Sequence, residues 1–448
     1  MLKSESSSDR FLIDIQIEES LSRETLMSID SSNKKEDCIT FLFIVFLLFI
    51  TTVVGIYGPP VQMSFNVVYT FLKNERTVSF PFGGLSKFNH FIQLKISLFK
   101  KRSLSQTFKA IPLTIKAFMY EQNNLINTDL IKIDNFPIYY RNSNNWTNPE
   151  IVFTDRLIKY DKLKITISFG QEFNENFSKC LAIWTLGNPE QPLIQMWFRG
   201  IYSLACLISL ILFLSRLIKT PFKIWHLEQK LTAFLVLLAF LADDPLYFNQ
   251  KLEVKKVGVI IDIISISLFR TYLQFFVLTL FDSLRYKNRK IGRCFFAPKI
   301  LFFFLLLITE ILHSFIDDSQ TTIFIEKFTP QIKILIHILH QINNAFYIFW
   351  MIVAIVSAGA FIDITEKYKF SVYSNVSIIC ISVIMFVDFV LKPRRIFQDT
   401  SLSFAIHFTV QNLFVLLMVV FHWPYETLTD QQYHDTGEGV SENDFFVK

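Results

Sequence analysis

Residues 39–57 read ITFLFIVFLLFITTVVGIY, nineteen residues without a charge. Seven further apolar runs crowd the C-terminal half, at 194–218, 231–248, 257–281, 300–315, 334–361, 372–391 and 401–423, separated by short polar loops. This pattern constrains the fold more than any other feature. A hydrocarbon layer about 30 Å thick takes roughly twenty helical residues, and most of these runs have that length. The chain is therefore expected to cross a membrane eight times, once alone and then seven times in succession. Its composition agrees: 19% of residues are charged, against about 25% in soluble domains. A net charge of +5 over 448 residues gives no reason to expect a nucleic-acid partner.

The first run is longer than a signal-peptide core of about 7–15 residues, so 39–57 is expected to stay as an anchor helix. The leader, 1–38, is rich in Ser, Glu and Asp and is expected to be disordered and cytosolic. Between the anchor and the seven-span region, 194–423, lies a stretch of different texture, 58–193. In FIQLKISLF, Ile92, Leu94, Ile96 and Leu98 alternate with Gln93, Lys95 and Ser97, and LKITISF repeats the pattern from Leu163 to Phe169. A period of two marks strands with one buried and one wet face. Further strand candidates at 61–72, 77–82, 108–118, 130–133 and 151–153 make about seven, which suggests an antiparallel β-sandwich. The fold class is thus membrane α-helical plus β. An acidic tail, 424–448, follows the last span.

Orientation follows the positive-inside rule. With the leader in the cytosol, the inner loops of the seven-span region carry eleven Lys and Arg and the outer loops eight, the strongest inner element being RYKNRKIGR. The sandwich is then lumenal or extracellular. Two Asn-x-Ser/Thr triplets, at Asn145 and Asn176, fall within it and are candidate glycosylation sites.

The second of the seven runs poses a question. In EQKLTAFLVLLAFLADDPLYF the uncharged part ends at Ala242, and Asp243, Asp244 and Pro245 follow at once. An Asp at a helix centre costs about 2.5–3.5 kcal/mol on insertion scales. Either the helix ends at the lumenal headgroups with its acids wet, or it breaks off inside the bundle and lines a cavity, where irregular backbone is tolerated. Other polar groups in the spans bear on the choice. Arg270 and Gln274 share the third run, and Glu310 lies in the fourth, where it is a natural ion-pair partner for Arg270. His337, His340, Gln341 and Asn344 form a helical stripe in the fifth, suited to interhelical hydrogen bonds or to a hydrated cavity. Asp262 and Asp388 are less central, either wet or paired with Lys392.

Local sequence adds a resemblance. LEQKLTAFLVLLAFLADDPLYF (227–248), FFAPKILFFF (295–304) and QNLFVLLMVVFHWPYET (411–427) look like segments of the Wntless-like membrane proteins, closest to the transmembrane protein 181 branch. The motif positions are Glu228, Gln229, Lys230, Asp244 and Pro245, with Ala-Asp-Asp-Pro where that branch has Tyr-Asn-Asp-Pro. The resemblance implies a lumenal sandwich above seven helices. It also implies a role in secretory-pathway traffic, in the Golgi, ER or endosomes or at the plasma membrane, carrying secreted or lipid-modified cargo. Cytosolic trafficking adaptors and membrane lipids would be its other partners.

The alternative that the residues leave open is a seven-helix receptor signalling at the cell surface, although no Asp-Arg-Tyr or Asn-Pro-x-x-Tyr motif is present. An enzyme is not expected, since there is no Gly-x-Ser-x-Gly, P-loop or His-Glu-x-x-His motif. No metal and no cofactor are expected either. The five cysteines, Cys38, Cys180, Cys206, Cys294 and Cys380, are too scattered for a disulfide framework or a zinc site. Cys38 and Cys294, beside charged residues at the cytosolic face, are inert thiols or palmitoylation sites.

Overall fold

The computed structural model describes residues 27–31, 34–72, 76–89, 91–100, 110–139, 145–155, 158–170, 177–244, 256–284, 292–317, 330–362, 367–386 and 401–424. A short turn of helix, α1 (Ser28–Ser31), precedes the anchor α2 (Lys34–Tyr57). Eight strands follow: β1 (Gln62–Thr70), β2 (Thr77–Gly83), β3 (Ile92–Lys100), β4 (Ala110–Glu121), β5 (Asn124–Pro137), β6 (Glu150–Asp155), β7 (Lys162–Phe169) and β8 (Phe177–Gly187). The helical half contains α3 (Gln191–Leu217), α4 (Leu227–Ala242), α5 (Lys256–Leu284), α6 (Arg293–Asp317), α7 (Pro330–Phe361), α8 (Lys367–Phe386) and α9 (Leu402–Phe421).

The strands form two four-stranded antiparallel sheets, in the orders β1-β8-β3-β6 and β2-β7-β4-β5. The alternation read in the sequence sets their inner faces: Ile92, Leu94, Ile96 and Leu98 of β3 and Leu163, Ile165 and Ile167 of β7 are all buried in one core. One strand escaped the period-of-two reading. β8 buries Cys180, Ala182, Trp184 and Leu186, but Leu181 and Ile183 on its other face are also apolar and half-buried, so its sequence does not alternate. It lies between β1 and β3 and is central to its sheet. The β4–β5 hairpin turns on Gln122 and Asn123, with φ of 50° and 68°, the left-handed pair of a type I′ turn that suits the twist of the strands.

Burial pushes the Cys180 thiol up to about 12, so at neutral pH it holds its proton and is sealed in the core. Cys294, near the start of α6, is exposed. A water-soluble maleimide added to the folded chain at neutral pH is expected to modify Cys294 and to reach Cys180 only after denaturation. Peptide mass spectrometry checks this. Equal labelling of the two would mean that the sandwich core is open.

Six helices are long and apolar enough to cross a membrane: α2, within which the apolar part is Ile39–Tyr57, together with α3, α5, α6, α7 and α9. Two of the eight expected spans fall short among the described residues. α4 has 16 residues, a rise of about 24 Å, and α8 carries Lys367 and Lys369 in its 20 described residues. Structure also begins earlier than the expected boundary at residue 39. α2 starts at Lys34, and before it Met27 and Ile29 are fully buried against the bundle core. Ser28 N donates to the Trp423 carbonyl at 2.8 Å, and Met27 bridges to Pro424. Two large apolar side chains thus draw this part of the leader out of water.

α2 closes one side of the bundle by packing along α9. Gly55 is seated so closely that an added Cβ would lie 2.8 Å from the Leu402 Cα. Thr409 Oγ1 donates to Thr51 Oγ1 at 3.4 Å, and Ser401 Oγ to the Pro59 carbonyl at 2.8 Å.

Candidate functional site: two polar networks among the helices

The question raised by Asp243 and Asp244 has a geometric answer. α4 ends at Ala242, and Asp244 adopts a left-handed conformation with φ of 47°, the usual way to stop a helix. An Asp tolerates that geometry because its short side chain bonds locally, and a following proline disfavours helix at this position. The acids are not wet. Asp243 is 1% exposed and Asp244 7%. Asn412, ten residues into α9, donates from Nδ2 to Asp243 Oδ1 at 3.0 Å. Ten residues is about 15 Å of helix, so α4 stops well inside the bundle.

Burial of two acids demands a cation, and Arg199 of α3 supplies it. Its guanidinium forks onto Asp262 of α5, Nη1 donating to Oδ1 at 2.8 Å and Nη2 to Oδ2 at 3.4 Å. Nη1 also lies 4.0 Å from Asp244 Oδ2. Cys206, two turns along α3, donates its S–H to Asn412 Oδ1 at 3.5 Å. The network therefore ties α3, α4, α5 and α9 together. The expected Asp262 partner, Lys392, lies outside the described residues, as do Asp388 and Pro245; Arg199 takes that place. The signal for Arg199 was present in the sequence: a lone arginine within an apolar run needs a counter-ion.

The second network joins α5, α6 and α7, and here the expected pair forms. Arg270 Nη1 reaches Glu310 Oε1 at 3.5 Å, and Glu310 Oε2 lies 3.4 Å from His340 Nδ1. His340 stacks on His313 with centroids 4.1 Å apart, and His313 Nε2 is 3.2 Å from His337 Nδ1. Asn344 holds the other side of His340, Nδ2 to Nε2 at 2.9 Å, and Asn343 donates to Thr309 at 3.1 Å. Gln274 is half-buried and Gln341 exposed; no bond ties either to this network among the described residues. His313, a member of the stack, was not among the expected site residues. No group of three His, Cys, Asp or Glu among the described residues is arranged to hold a metal ion. Parallel rings set their nitrogens side by side rather than converging on one point.

The two networks are distinct. Their shared helix, α5, separates Asp262 from Arg270 by eight residues, about 12 Å. They also differ in exposure: the Arg199 side chain is 8% exposed and that of Arg270 45%. The second network reaches the surface at Arg270, while Glu310 and His340 stay largely buried.

The motif residues Glu228, Gln229 and Lys230 open α4. Gln229 caps the helix, its Oε1 accepting from His226 N at 3.1 Å, while its Nε2 donates to the His422 carbonyl at 3.4 Å. The His422 ring, fully buried, is held by Thr232 at 2.6 Å and Tyr373 at 2.7 Å. His422 was another omission from the sequence reading, although it lies within the segment FHWPY. In the sandwich, Asn145 is exposed while Thr147 is buried, its Oγ1 accepting from Leu98 N at 2.9 Å; Asn176 lies outside the described residues.

An antiparallel β half inserted after one apolar helix, followed by seven helices with buried ion pairs, defines a multi-pass membrane protein of mixed α and β structure. The profile described as "Wntless-like, transmembrane domain" matches residues 188–426, more than half of the chain. The chain belongs to this Wntless-like family. The match covers the family as a whole and does not separate its branches. A search of curated proteins found no match. Among solved structures, one similar chain is the subviral particle of infectious bursal disease virus VP2, at 9% identity over 29% of this chain and 33% of that one. Its TM-score of 0.17 carries no argument.

Proposed function

We propose that this protein is a sorting or carrier factor of the secretory pathway, acting by binding rather than catalysis, for secreted or lipid-modified cargo. Its sandwich faces the lumen and its leader the cytosol, where adaptors meet its loops. The observation that carries the reading is the exposed Arg270 head at the edge of the otherwise largely buried Arg270–Glu310–His340 network between α5, α6 and α7. Charged heads facing acyl chains are costly, so an opening there calls for water or a polar partner, such as the hydrophilic base of a lipid-anchored client. Family membership supports the same reading. The exposure of Asn145 suits a glycoprotein.

The test is affinity purification of tagged full-length protein from cross-linked secretory membranes. The wild type is expected to recover lumenal or membrane clients. The paired change Arg270→Ala with Glu310→Gln is expected to lose at least about tenfold in recovery, the scale of one charge-assisted contact, while keeping the same compartment. Recovery of no client by the wild type would sink the proposal. Ligand-dependent recruitment of a G protein would favour a receptor instead.

A further inference from the structure

The sheet β2-β7-β4-β5 carries its charge in a pattern on its outer face. Leu163, Ile165 and Ile167 of β7 and Ile115 and Ala117 of β4 are buried in the core, so the residues that alternate with them face outward. The register then fixes where four lysines stand. Lys132 of β5 lies across from Thr114, Lys116 of β4 from Thr166, Lys164 of β7 from Phe118, and Lys162 from Tyr120. All four are exposed. Diagonal neighbours on a sheet lie about 7–8 Å apart, and alternate residues of one strand about 7 Å. The order Lys132, Lys116, Lys164, Lys162 is therefore a line roughly 20 Å long across three strands.

No acid shares this line. Asp129 faces inward, across from the buried Ala117, while Asp134 falls beyond the Lys132 end and Glu121 and Asp161 beyond the Lys162 end. Lys162 donates to Asn123 Oδ1 at 2.6 Å, and among the described residues no ion pair neutralises any of the four. Cations spaced in this way repel one another and attract a polyanion whose charges match them. Phe118 and Tyr120, half-buried beside Lys164 and Lys162, offer apolar surface to the C–H face of a sugar ring. Thr114, Thr128 and Thr166 offer hydroxyls to the ring's own.

We propose that this face binds a linear sulfated polysaccharide laid along the four lysines. A polymer with a carboxylate only on every second ring sets too few anions on that line, whereas sulfation can charge each ring. An acidic peptide is better served by a sheet edge, where open backbone groups take an added strand; β7 and β4 are each paired on both sides. Anionic lipid charges the cytoplasmic leaflet, away from the sandwich. That last step rests on the lumenal placement proposed above, and the binding test does not.

The experiment measures binding of a fluorescent heparin oligosaccharide to the full-length chain in phosphatidylcholine nanodiscs. The wild type is expected to bind it, more weakly as salt rises. Hyaluronan, polyglutamate, a single-stranded oligonucleotide and phosphatidylserine vesicles, offered as competitors, should each bind at least about tenfold less well. Lys116→Gln with Lys164→Gln, at the centre of the line, is expected to lose about tenfold, the combined scale of two exposed ion contacts. Arginine at the same two positions should bind as the wild type does. Lys95→Gln with Lys179→Gln, which removes as much charge from the other sheet, should also bind as the wild type does. A wild type that ignores heparin would overturn the proposal and leave the cargo reading untouched. An equal loss in the two glutamine pairs would overturn it too, since net charge alone would then set the affinity, and so would any competitor that matches heparin.

Discussion

Replacing Arg199 with leucine is expected to destabilise the folded chain by about 3–5 kcal/mol, the cost of stranding a buried counter-charge. The substitution leaves Asp262 and Asp244 facing an apolar side chain among α3, α4 and α5. Asp262 retains some access to solvent, with a side chain 23% exposed, which places the expected loss towards the lower figure. Arg199→Lys should recover only part of it, because an ammonium cannot fork across both Asp262 oxygens. The double change Arg199→Leu with Asp262→Asn should be milder than Arg199→Leu alone, since it removes one of the stranded charges. Thermal unfolding of the detergent-purified variants checks the order. A leucine variant as stable as wild type would mean that the guanidinium is not what holds these acids in the bundle.

Trp184→Ala should cost about 3–5 kcal/mol in the sandwich, the usual range for truncating a buried aromatic. Trp184 is 1% exposed on β8, with Phe82 of the opposite sheet 5.0 Å away between ring centroids. Because β8 pairs with both β1 and β3, a hole here weakens two strand interfaces at once. Val68→Thr, on the other face of β1 opposite Leu181 and 57% exposed, is the control and should stay within about 0.5 kcal/mol. Limited proteolysis reads the difference: Trp184→Ala should be cut within β1 to β8 at protease levels that spare the wild type and Val68→Thr. Equal resistance of all three would show that the tryptophan does not lock the two sheets.

Much of this architecture was legible because single elements announce themselves. A lipid-length apolar run needs no partner to be recognised, and Ile92 to Leu98 alternate whatever they pack against. Asp243, Asp244 and Pro245 showed that α4 ends there, but left open whether it ends at the headgroups or inside the bundle. Pairings between helices were harder to read. Asp262 was expected to be either wet or paired with Lys392, but its guanidinium partner is Arg199, 63 residues upstream. Which helix neighbours which is decided by packing in three dimensions, and linear spacing carries little of that information. Arg270 and Glu310 succeeded because their helices are consecutive. β8 failed for a different reason: a strand flanked on both sides, with apolar residues on both faces, gives no period of two. His422 sits where a helix ends, a position at which a polar residue draws no notice until Thr232 and Tyr373 are seen to hold its ring.

The seam between α2 and α9 bears on how the chain is made. α2 leaves the ribosome well before α9, since Leu402 follows Tyr57 by 345 residues. At roughly 5–20 residues per second, that leaves the anchor helix without its mate for on the order of tens of seconds. During that interval the hollow around Gly55, shaped to receive a neighbouring backbone, faces lipid or some temporary companion. Biogenesis therefore has to shelter α2 until α9 arrives, and truncation anywhere before residue 402 would strand it permanently.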